Sequence, residues 1–303
     1  MKNSKILVTG GSGMVGCHLK ELLPDAIYIS SEDCDLRDDY QVEDLFDKIY
    51  PDIVIHLAAK VGGIISNINY PAEYFDDNIL MNTNILRNSK KFDVKRVIAT
   101  LSTCIYPDIS KTYPLKEENL HDSKPTPTNF SYGYAKRCMA VQIDAYNKQY
   151  NTQYSYLIPS NLFSEYDKYG ENSHFVAALI KKIHKAKQNN EKSIVLFGTG
   201  RPLRQFMYAK DLARVIKHCI DNNITESFNV APKDNYTIKE IAEIALKACD
   251  ASDFKIFFDE SKPDGQFRKD VSNEKMLKIL PNFEFTKLYK GIKHTYNRIA
   301  DKL

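Results

Sequence analysis

Apolar and polar residues alternate along the first half of the chain in two rhythms. Short, almost unbroken apolar runs recur at Lys5–Thr9, Ala26–Ile29, Asp52–Leu57 and Arg96–Leu101. Runs of this length and uniformity suit strands covered on both faces. Between them, apolar residues return every three or four positions over 17–23, 40–50, 74–91 and 131–149. That spacing gives helices with one buried face. Strand and helix in alternation predict a Rossmann-type α/β fold, a doubly wound parallel sheet.

The second half is less regular. Strands are expected near 154–157 and 193–197, and a helix over 173–187. Thr237 and Glu240 have capping-box spacing and open a helix running to about Lys247. There is no internal repeat and no Pro/Gly/Ser-rich linker. The expected layout is a dinucleotide-binding domain over 1–163, with a return segment near 198–229, and a smaller, discontinuous α/β substrate domain over most of 164–303.

Composition narrows the picture modestly. A chain of 303 residues has room for both units, and a net charge of +3 gives no reason to invoke nucleic acid or an anionic membrane. No apolar run approaches bilayer length, and the N-terminus lacks a secretory apolar region. The six cysteines, at 17, 34, 104, 138, 219 and 249, show no CxxC and no metal-like clustering. They read as reduced thiols in a cytoplasmic protein, with no metal expected.

Two features carry chemistry. Gly10-Gly11-Ser12-Gly13-Met14-Val15-Gly16 follows the first strand and opens the first helix, where backbone amides can face a pyrophosphate. Tyr132 and Lys136 stand four apart on a helix and share one face. An ammonium there favours the phenolate and is expected to lower the phenol pKa, which makes the Tyr a proton donor or acceptor. Cys104 adds a second acid/base group, although a free Cys at a strand end also suits core packing.

The glycine loop, Ser102 and the Tyr132–Lys136 pair resemble the extended short-chain dehydrogenase/reductase superfamily. Asp35-Leu36-Arg37-Asp38 is similar to its adenine-contacting motif. Ala58-Ala59-Lys60-Val61-Gly62-Gly63-Ile64, Ser102 to Pro107, Pro159-Ser160-Asn161-Leu162, Asn172-Ser173-His174 and Ser261 to Gly265 resemble, more narrowly, the GDP-L-fucose synthase family. That resemblance implies reduction of a GDP-linked 4-keto sugar with NADPH, with 3,5-epimerisation, in a homodimer paired through the Tyr132 helix. It implies catalytic roles for Ser102, Cys104, Tyr132, Lys136 and His174. Gly10 to Gly16, Asp35, Leu36, Ala58, Ala59, Lys60, Leu101, Lys136, Pro159, Asn161 and Leu162 are implied cofactor contacts, and Lys182, Arg204 and Asp264 substrate contacts. Lys181, Lys185 and Lys187 read as a solvated helix face.

Two departures stand out. Phe163 to Glu171 lacks the family's Gly-Pro. Ser12, Ser30 and Ser31 stand where the family uses arginines toward the NADPH 2′-phosphate, with Glu32 and Asp33 close by. Alternatives are a C4 reductase of a GDP-4-keto-heptose or 6-deoxy sugar with little epimerase activity, and a non-catalytic dinucleotide sensor. Retention of both Tyr132 and Lys136 counts against the sensor.

Overall fold

The structure, a computed structural model, describes residues 4–170, 173–262 and 264–303. The first half runs β1 (Ile6–Thr9), α1 (Met14–Leu22), β2 (Ile27–Ile29), α2 (Asp39–Ile49), β3 (Ile53–His56), α3 (Ile64–Asn69), α4 (Pro71–Lys91), β4 (Arg96–Thr100), α5 (Phe130–Tyr150) and β5 (Gln153–Pro159). The second continues with β6 (Asn161–Phe163), α6 (Phe175–Gln188), β7 (Ser193–Phe197), β8 (Leu203–Arg204), β9 (Phe206–Tyr208), α7 (Ala209–Asp221), β10 (Phe228–Val230), β11 (Tyr236–Thr237), α8 (Ile238–Ala248), β12 (Lys255–Asp259), α9 (Glu274–Ile279) and α10 (Leu288–Ile299).

Six parallel strands form the main sheet in the order β10-β5-β4-β3-β1-β2. The chain leaves β1 for β2 on one side and returns to place β3 on the other, with Leu7 level with both Ile27 and Val54. The β1/β3 junction is therefore the topological switch point, where a crevice opens beyond the strand ends. One face of the sheet packs Leu7, Val54 and Val97 against Phe46 of α2, Ile85 of α4 and Ile143 of α5. The other packs Val8, Ile55 and Ile98 against Leu19 of α1 and Leu212 and Ile216 of α7. Covering on both faces explains why these strands carry apolar runs rather than alternation.

A third core gathers Phe163, Ile180, Ile194, Ile241 and Ile292 from β6, α6, β7, α8 and α10. Its sheets have two strands each: β7 with β12, β8 with β11, and β6 with β9. The Thr237–Glu240 capping box forms, with Glu240 N donating to Thr237 Oγ1 at 3.1 Å and Thr237 N to Glu240 Oε2 at 2.7 Å.

Several boundaries differ from the periodicity. α1 begins at Met14, because the helix starts inside the glycine loop, where the apolar pattern gives no sign of it. α4 begins at Pro71, a residue preorganised for a first helical turn. β12, α7 and α10 have no counterpart in the pattern read above. Each draws its definition from a distant partner, as β12 does from its parallel pairing with β7.

Candidate active site

The expected cofactor residues line up along one edge of the sheet. Gly10 follows β1, Asp35 and Leu36 follow β2, Ala58, Ala59 and Lys60 follow β3, Leu101 follows β4, and Pro159 ends β5. Gly10 has φ +71°, and a Cβ on it would lie 2.8 Å from Ala58 N. A Cβ on Gly16 would lie 2.5 Å from Gly10 O. Only glycine permits this turn and this approach. Gly13 caps α1 with no side-chain hydrogen bond, and the first turn carries no acidic residue. The amides around Ser12, Met14 and Val15 are thus unmatched by any side chain, which fits a pyrophosphate group. Asp35 holds Arg37 in a forked ion pair, with Nε to Oδ1 at 2.9 Å and Nη2 to Oδ2 at 2.7 Å. Asn161 Nδ2 donates to Gln205 O at 2.8 Å, and Leu162 packs partly buried beside it.

Ser102 and Cys104 sit on a one-turn 3₁₀ helix, Thr103–Ile105, directly after β4. Cys104 N donates to Ser102 Oγ at 3.3 Å. This turn displaces Cys104 from the strand end assumed by the packing alternative and leaves it only partly buried. Tyr132, 9 % exposed, approaches from α5 near enough to Ser102 for that hydroxyl to act on its phenol. Gly133 permits the contact, since a Cβ there would lie 2.7 Å from Cys104 O.

The expected acidification of Tyr132 is corrected by the structure. Burial pushes the phenol well above its ordinary value, and the neighbouring Cys104 adds to this, while Ser102 opposes. Lys136, also buried, has its Nζ donating to Thr100 O at 3.0 Å. Burial pulls its pKa down to about 8. Desolvation dominates at both groups, so at neutral pH the phenol holds its proton.

A buried His56, invisible as a site residue in the sequence, supports this corner. It bridges Thr9 Oγ1 at 2.8 Å and Asn82 Oδ1 at 3.1 Å. Burial and the Lys136 charge bring its pKa to about 3, so it stays neutral. Asn82 Nδ2 reaches Ala135 O at 3.5 Å, linking β1, β3 and α4 to the Tyr132 helix.

The second half contributes the remaining groups. His174 precedes α6, and its Nδ1 lies 2.9 Å from Asp167 Oδ1. Asp167 is buried, and this bond raises the His174 pKa against the effect of burial. Asp167 was missed because it lies in the stretch that departs from the family pattern. Its i, i+7 separation from His174 matches no motif. Arg204 lies close enough to Cys104 and Asp264 for both to act on its charge. Asp264 turns both oxygens to Thr199, accepting from N at 2.6 Å and Oγ1 at 2.8 Å. Lys182 lies further along, its Nζ 5.7 Å from the centre of the exposed Phe197 ring. It lines an open cavity of about 500 Å³ with Lys181 and Lys185. Lys269 was also missed, and its Nζ donates to Cys104 Sγ at 3.6 Å. Asn172 and Pro263, within two of the resembling segments, lie outside the described residues.

Relatives match this sequence over nearly the whole chain. The sequence profile of the NAD dependent epimerase/dehydratase family matches residues 6–231. A GDP-L-fucose synthase from Dictyostelium discoideum is 38 % identical, the match covering 98 % of this chain and 95 % of that one. The chain belongs to the GDP-L-fucose synthase family. The crystal structure of a GDP-L-fucose synthetase from Naegleria fowleri bound to NADP matches with a TM-score of 0.89 at 34 % identity, over 99 % of this chain and 94 % of that one. A GDP-mannoheptose C4 reductase from Campylobacter jejuni, with NADP bound, matches with a TM-score of 0.87 at 25 % identity, over 98 % of both chains. Among the described residues no helix is long and apolar enough to cross a membrane.

Proposed function

We propose that this chain reduces the 4-keto group of a GDP-linked sugar with NADPH and inverts the ring carbons on either side of that group. The observation that carries the reading is the convergence of Tyr132, Ser102 and Cys104 at the end of β4, with Lys269 bonded to Cys104 from the second half and Arg204 near enough for the two charges to interact.

The 4-keto group makes the C3 and C5 protons acidic. Cys104 removes such a proton, and the charge moves onto the C4 oxygen. Ser102 and Tyr132 hydrogen-bond that oxygen and stabilise the charge as it develops. His174, held in one tautomer by Asp167, returns a proton from the opposite side and so inverts the carbon. A base and an acid on opposite faces are what inversion requires. When bound, the reduced nicotinamide supplies hydride to C4. Tyr132, kept protonated by burial, gives its proton to the C4 oxyanion. Lys136 orients the nicotinamide ribose, and Arg204 and Lys182 meet the substrate phosphates.

Deuterium wash-in tests the epimerase half. Substrate incubated with enzyme in D₂O without reduced cofactor takes up deuterium at C3 and C5. Turnover with no uptake favours the second reading, a C4 reductase without epimerisation, which the likeness to the heptose reductase supports. The protein further reads as a cytosolic homodimer, with exposed Phe75 and Leu80 on α4 and Val141 on α5 as the apolar surface to cover. Sedimentation equilibrium at twice the monomer mass is the expected result.

A further inference from the structure

We propose that the dinucleotide pocket binds NADH about as well as NADPH, because the turn after β2 presents hydroxyls and carboxylates to the ribose 2′ position. The inference rests on the dinucleotide reading above. In doubly wound sheets this position lies beyond the second strand. A carboxylate about 20 residues past the glycines accepts from a 2′-hydroxyl there, or an arginine meets a 2′-phosphate.

Here the glycine loop and the end of β2 are joined directly, with Gly11 N donating to Ile29 O at 2.8 Å. A Cβ on Gly11 would lie 2.7 Å from Tyr28 Cβ, so the two segments touch. The residues that follow on either side are Ser12 on the loop and Ser30, Ser31, Glu32 and Asp33 on the strand. Asp33 stands twenty residues after Gly13. Its Oδ2 accepts from Ser30 N at 2.7 Å and Ser30 Oγ at 2.8 Å. Glu32 N donates to Ser30 Oγ at 3.2 Å, which closes the turn. The Asp33 carboxylate is thereby fixed across the strand end, and the bonds from Ser30 keep it ionised. Glu32 and Asp33 are both exposed.

The cations that follow β2 and β3 are held in ion pairs. Arg37 is forked onto Asp35 and also reaches Asp77 at 3.3 Å. Lys60 is paired with Glu73 and Asp77. Lys20 lies over the Tyr28 ring at 5.5 Å, and its charge acts on Asp33. A phosphate brought here meets two carboxylates before any guanidinium. A single charge-assisted hydrogen bond to phosphate is worth on the order of ten- to a hundredfold in affinity. Without one, the extra phosphate of NADPH confers little advantage.

Calorimetric titration of the full chain with NADPH and with NADH tests this. Dissociation constants within about tenfold of each other are expected. Tighter NADPH binding by more than that overturns the inference, and recruitment of Lys20 by the phosphate is the arrangement it would reveal. In a second arm, Ser31→Arg combined with Glu32→Lys tightens NADPH by about tenfold or more and leaves NADH nearly unchanged. A folded double variant with unaltered NADPH affinity places the 2′ position elsewhere and equally overturns the assignment. Failure of the native chain to bind either dinucleotide is a different result, since it removes the reductase reading itself.

Discussion

The two sides of the site are built by different physical means. Ser102, Tyr132 and Lys136 stand on sheet ends and a long helix, and Lys136 is 1 % exposed. Apolar packing on both faces of a six-stranded sheet holds their backbones. His174, Arg204 and Asp264 come from loops and two-stranded sheets, and the His174 side chain is 35 % exposed. One or two polar contacts hold each of them, to Asp167, to Leu203 O at 2.8 Å and to Thr199. The reducing end is therefore preorganised by the core, whereas the substrate end depends on a handful of replaceable bonds. That difference explains how the stretch before His174 departs from its family's pattern while still delivering a carboxylate to the imidazole.

Removing the acid from the rigid side tests the contrast most severely. Tyr132→Phe is expected to lower kcat for C4 reduction by about 10²–10⁴-fold without unfolding the protein. Near-native turnover in single-turnover kinetics would show that the buried phenol is not the proton donor. Cys104→Ala removes deuterium uptake at C3 and C5 by about 10²-fold or more, while reduction of a substrate already epimerised continues. Equal loss of both activities would mean that Cys104 shapes the pocket rather than moving protons.

The loop side should respond more mildly. Asp167→Asn costs about ten- to a hundredfold in wash-in rate, the worth of one charge-assisted bond. Asp167 raises the His174 pKa, so the variant also moves that group's limb of the pH–rate profile to lower pH. An unshifted profile would leave Asp167 with only a structural part. Gly133→Ala brings a Cβ to 2.7 Å from Cys104 O and 2.9 Å from the Pro125 Cβ. Overpacking of this kind costs about 1–3 kcal/mol, read as a lower midpoint in urea. The smallest effect is on stability. A raised folded pKa stabilises the folded state fully below the imidazole's ordinary value of about 6.5, and the benefit disappears as pH rises through the folded value. Exposure of about a third of the imidazole to solvent limits it to about 1 kcal/mol, so native and Asp167→Asn proteins should differ in urea midpoint at pH 5.5 and converge at pH 8.5. A difference independent of pH would point to lost packing instead.

Much of this molecule can be read from the chain alone. Apolar runs of four to six residues, separated by helical periodicity, specify a buried parallel sheet, because only a strand covered on both faces calls for such a run. Gly10 and Gly16 mark the loop after β1, because no other residue tolerates the turn at the first and the close approach at the second. The four-residue spacing of Tyr132 and Lys136 puts them on one helical face. Tertiary structure decided the rest. It set the protonation of that pair, because burial reverses the shift their proximity suggests. It brought Asp167 to His174, Lys269 to Cys104, and His56 into the frame behind α5. These contacts join segments far apart in sequence, or lie in irregular loops, where neither period nor spacing carries information and only the folded chain determines which groups meet and how much water surrounds them.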